Sequence, residues 1–124
     1  MRDTLGRRTG VRVIETEAKA RSLHALGAFY LRQGFPQQGL SLLLAARDYG
    51  IRDDALERAV AQGYLLSGAP KQALEILDAI EPRLSDPRLR DSAGILRSRA
   101  LLALGRVEDA RATFAMTAAP GENS

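Results

Sequence analysis

The side chains able to do chemistry are few and scattered. His24 is the one histidine, and the chain has no cysteine. A lone imidazole without thiolates cannot assemble a usual zinc site. As a general base it would need an orienting partner and a nucleophile beside it, and the sequence offers no such constellation. Without cysteine there is no disulfide and no thiolate nucleophile. Two adjacent carboxylate pairs, Asp53-Asp54 and Glu108-Asp109, sit where helical patterns begin. Acidic side chains there favour the positive end of the helix dipole, which accounts for them without catalysis. The eleven glycines form neither a P-loop nor a dinucleotide-binding motif. No catalytic residue, metal site or cofactor is expected, and the chain reads as a non-enzyme.

The glycines instead punctuate a repeat. Gly34, Gly68 and Gly105 each follow one apolar run and precede a shorter one, at spacings of 34 and 37 residues. A period near 34 with a glycine between two helical patterns marks helix-turn-helix repeats. Each glycine can take the left-handed conformation that ends a helix. Pro36 and Pro70 follow two residues later, where the first turn of the next helix has no use for the missing N–H. Small residues recur seven before the glycine (Gly27, Ala61, Ser98) and five after it (Gly39, Ala73, Ala110). Two antiparallel helices approach closely only where both are small, so these positions are the expected crossing points. Large residues recur four before it (Tyr30, Tyr64, Leu101) and nine after it (Leu43, Leu77, Phe114).

The elements follow from these marks. The first helix is expected over about 15–33, the second from Pro36 to Tyr49-Gly50, and the third over 54–67 with Asp53 as its N-cap. The fourth runs from Pro70 to about Ile80. Asp86-Pro87 starts the fifth, which reaches Leu104, and the sixth covers about 107–118. The connector Glu81–Asp86 takes up the three extra residues of the longer period. Residues 1–13, with Gly6, Gly10 and the arginines, offer no periodic apolar face and read as a disordered basic tail. Residues 14–118 form the domain, and 119–124 a second disordered tail.

This pattern resembles the tetratricopeptide repeat (TPR). Leu23, Leu26, Gly27, Tyr30, Gly34, Leu43 and Ala46 fall on it in the first copy, with Gly39 in place of the usual alanine. Val60, Ala61, Tyr64, Gly68, Ala73 and Leu77 carry the second, which departs at Glu57 and Ile80. Ser98, Leu101, Gly105, Ala110 and Phe114 carry the third, which departs at Gly94, Arg97 and Thr117. The resemblance implies an all-α fold in which three helix pairs build a short right-handed solenoid. It also implies that the first helix of each pair lines a binding groove. By position, that groove comprises Arg21, His24, Ala28, Leu31 and Arg32, then Ala55, Arg58, Gln62 and Leu65, then Ser92, Ile95, Arg99 and Leu102. TPR domains that clamp a C-terminal carboxylate carry asparagine at the position of Ala28 and lysine at that of His24, so that clamp is not expected here. Leucines interspersed with arginines suit an extended or helical apolar segment with acidic flanks. Packing of these leucines against a capping helix or a second copy, as in a homodimer, is the alternative.

Charge adds little to this. The net charge of +3 resides in residues 1–12, and the remainder balances. The tail lacks the aromatics of a nucleic-acid binder, and neither nucleic acid nor a membrane span is expected. No apolar leader segment opens the chain, so a cytoplasmic location is the default. Small TPR chaperones of bacterial type III secretion systems are similar in layout, in particular the group that holds an export-apparatus subunit. That likeness implies a chaperone that keeps a secreted partner soluble. A general TPR adaptor or assembly scaffold is the competing reading.

Overall fold

Backbone turns decide the architecture. The computed structural model describes residues 2–50 and 53–122, with side chains at 10–50 and 53–117. It comprises six helices, α1 (Arg2–Arg32), α2 (Pro36–Asp48), α3 (Asp54–Leu66), α4 (Pro70–Ile80), α5 (Pro87–Ala103) and α6 (Val107–Glu122). A single 3-10 turn, Glu81–Arg83, stands between α4 and α5, and no strand occurs among the described residues. The all-helical expectation therefore holds.

Three turns are built alike. Gly34, Gly68 and Gly105 have φ of 87°, 83° and 79°. In each case the glycine N–H donates to the carbonyl three residues back, at Leu31, Leu65 and Leu102. The next N–H, of Phe35, Ala69 or Arg106, reaches the carbonyl of Tyr30, Tyr64 or Leu101 at 2.8–2.9 Å. This pair of bonds is the Schellman motif, which satisfies carbonyls the ended helix leaves open. Asp53 and Asp86 supply the expected N-caps, accepting from the N–H of Ala55 at 2.9 Å and of Arg88 at 3.0 Å.

Two boundaries differ from expectation. Helix α1 begins at Arg2, ahead of residue 15, and α6 continues to Glu122, past residue 118. Gly10 costs a helix only about 1 kcal/mol relative to alanine. Beyond it Val11, Ile14 and Ala18 continue one stripe into the rest of α1, a periodicity the expected tail boundary cut short. Asn123 and Ser124 lie outside the described residues.

By contacts the chain divides into two compact units, Met1–Arg52 and Asp53–Ser124, where the sequence groups residues 14–118 as one domain. In the first, α1 packs on α2. A Cβ on Gly27 would stand 2.7 Å from Leu43 Cγ, and one on Gly39 would stand 2.8 Å from both the Gly27 carbonyl oxygen and Leu31 Cδ2. The helices thus touch backbone to backbone and run antiparallel. In the second unit α3 packs on α4, α4 on α5 and α5 on α6, and α3 also touches α5. Its core gathers Leu74, Leu77, Ile80, Leu84, Leu96 and Leu101 around Ala61, Ala73, Ala93, Ala100 and Ala110. Burial of each large side chain contributes about 1.5–3 kcal/mol. All six crossing-point residues are buried. The departures of the third copy prove to be mutual contacts: Thr117 fills the place a Cβ on Gly94 would need, and Arg97 donates to Thr113 Oγ1 at 3.1 Å.

Candidate functional site

The adjacent carboxylates form a cap or ion pairs. Beyond the two caps, Asp54 pairs with Arg83 at 2.8 Å and Asp109 with Arg106 at 2.9 Å. His24 is half-buried. Among the described residues no group of three or more His, Asp or Glu gathers in metal-binding geometry.

The sequence-predicted binding residues fall into three separate settings. In the first unit Arg21 and Arg32 are exposed and His24 and Ala28 half-buried, but Leu31 is 6% exposed and belongs to the core. Its expected exposure in a groove is corrected by Gly39: the Leu31 side chain occupies the space that a methyl group at 39 would take. Leu65, at the same offset before Gly68, is half-buried against the second unit's core and is likewise not a free contact. Leu102, at that offset before Gly105, is 58% exposed.

Arg58, Gln62 and Ser92 are brought together on α3 and α5. Arg58 Nη1 donates to Gln62 Oε1 and to Ser92 Oγ, each at 3.3 Å. Arg58 is half-buried, and desolvation lowers its pKa below the usual guanidinium value. Both partners are neutral, so the buried charge lacks the opposite charge that normally accompanies one. Ala55 is half-buried one turn before it on α3.

Ile95, Arg99 and Leu102 lie elsewhere, in an open groove of about 500 Å³ between α5 and α6. Its other walls are Ser98, Val107, Ala110, Arg111 and Phe114. Sequence reasoning missed Val107 and Arg111, and Phe114 entered it only as the counterpart of Leu43 and Leu77 in the repeat. Those two are fully buried, whereas Phe114 is 54% exposed.

A second cavity of about 290 Å³ is lined by Leu77, Leu84, Ala93 and Met116, with Arg90 and Arg97 at its edge. Its arginines are already engaged. Arg97 pairs with Asp78 at 2.7 Å, and Arg90 donates to the Leu84 carbonyl oxygen at 2.7 Å. No helix among the described residues is long and apolar enough to cross a membrane. No family model matches the chain, and neither a curated protein nor a solved structure does.

Proposed function

We propose that the chain is a non-catalytic protein-binding module whose three helix pairs are TPR-type repeats, and that the α3–α5 face around Arg58 receives an acidic segment of a protein partner. The observation that carries this is the half-buried guanidinium of Arg58, held among the described residues by the neutral Gln62 and Ser92. Its planar fork suits a carboxylate bidentately, and a carboxylate would supply the missing opposite charge. Helical spacing puts Ile95 and Arg99 on the Ser92 side of α5. An apolar segment with acidic residues matches that mixture. In its narrower form the reading is a cytoplasmic chaperone that shields a secreted partner, of the type III export-apparatus kind, a proposal supported by layout and by the three repeated turns. A general adaptor would use the same face.

Co-purification from the native cell, with the partner then titrated in purified form, tests the reading. Arg58→Gln should weaken binding by about 2 kcal/mol or more, some 30-fold, with the melting temperature kept. Arg58→Lys retains the charge but not the fork and should recover only part of the loss. Unchanged partner affinity in Arg58→Gln would rule out this face.

A further inference from the structure

Helix α1 has 31 residues and its partner α2 has 13. At 1.5 Å per residue these are about 46 Å and about 20 Å long. Helix α2 can therefore cover only part of α1, and residues 10–19 are left bare. Every side chain over 11–19 is exposed except half-buried Thr16, and Ile14 is 65% exposed. A helical stretch this short, without tertiary packing, is marginal in water. Its sequence is nonetheless patterned. At 3.6 residues per turn Val11, Ile14 and Ala18 make one apolar stripe, and Glu15 and Glu17 border it on opposite sides. Arg12 and Lys19 lie beyond Glu15, and exposed Val13 is on the far face.

The α5–α6 groove has the complementary pattern. Ile95 and Leu102 form one apolar wall and Val107 and Phe114 the other, and all four are exposed. Within each wall the two residues are seven apart, which is also the separation of Val11 and Ala18. Two turns of apolar surface therefore face two turns, about 10 Å in each case. Arg99 stands on one wall and Arg111 on the other. Arg111 has Glu108 at 3.9 Å, with both side chains largely exposed. Among the described residues Arg99 has no acidic partner within salt-bridge distance.

We infer that residues 11–18 of α1 from one copy dock in the α5–α6 groove of a second copy. Ile14 lies between the two apolar walls, and Glu15 and Glu17 face Arg99 and Arg111. The two surfaces differ, so a one-way contact is heterologous, whereas a reciprocal two-fold contact is isologous. Reciprocal docking closes a dimer, and one-way docking extends a chain. This surface shares Ile95 and Arg99 with the edge of the Arg58 face, and its fate is read from self-association alone, without the partner.

The test uses the full chain in sedimentation velocity across micromolar to millimolar concentration. The average mass should rise with concentration. Ile14→Glu and Phe114→Glu should each weaken self-association at least tenfold while keeping the helical circular dichroism, because both side chains are exposed. Mixing the two variants should restore association, since the first retains an intact groove and the second an intact α1 stripe. If Phe114→Glu lowers the melting temperature, Leu102→Glu on the opposite wall replaces it. A wild-type chain that stays monomeric throughout would overturn the inference. So would a single variant that associates like wild type, or a mixture that stays monomeric, which would indicate like-with-like pairing of α1.

Discussion

Position 39 carries a hydrogen where positions 73 and 110 carry a methyl group, and the leucine eight residues before each has a different exposure. Leu31, Leu65 and Leu102 share one offset from their turns, yet they are buried, half-buried and exposed in that order. Leu31 sinks into the space left free at Gly39. The departure at Gly39 was visible in the sequence, but its consequence for Leu31 was not, because it depends on how closely two backbones approach. The glycines separate two physical roles that mutation can distinguish. Gly39→Ala would place a Cβ 2.8 Å from the Gly27 carbonyl oxygen and should destabilise by about 1–3 kcal/mol through overpacking. Gly34 has nothing within 4 Å of an added Cβ, but its φ is 87°, so Gly34→Ala should cost about 1–2 kcal/mol through backbone conformation alone. Asparagine tolerates that conformation, so thermal melts should show Gly34→Asn milder than Gly34→Ala. At position 39 asparagine should be the more harmful of the two. The reverse order at either site would exchange their assigned roles.

Helix ends were the most legible elements, because caps depend on residues close in sequence. Asp53, Asp86, Pro36, Pro70 and the turn glycines act where their chemistry places them. The extent of α1 was not legible, since Gly6 and Gly10 read as breakers and the stripe at Val11, Ile14 and Ala18 has no partner within its own unit. The groove at α5 and α6 was half legible. Ile95, Arg99 and Leu102 were singled out, while Val107 and Arg111 on the opposite wall were not. At this scale the N-caps offer a direct measurement. Asp53→Ala removes the 2.9 Å bond to the Ala55 N–H and should cost about 1 kcal/mol in denaturant unfolding. Asp54→Ala removes an exposed pair with Arg83 and should cost no more than about half of that. Equal losses would mean that the Asp53 bond contributes no more than a surface ion pair.

For the whole molecule, protection from solvent should be graded. Leu77, Ile80 and Leu101 are 1%, 1% and 0% exposed, so their amides should exchange with deuterium only on global opening. Amides of residues 11–18 should exchange far faster in dilute protein, because a helix without packing opens locally. Raising the protein concentration should slow them selectively if a second copy covers them. Exchange there that does not depend on concentration would leave α1 uncovered at every concentration tested. The repeated turns bear on how the copies can differ from one another. The bonds that close them run between main-chain atoms, and the residues accepting the bond that spans five positions are Tyr30, Tyr64 and Leu101. The turn therefore places no demand on side-chain identity at that position beyond bulk. Each helix pair can drift in what it displays while its bend stays fixed, so surface residues can be transplanted from one copy to another without redesigning the bend.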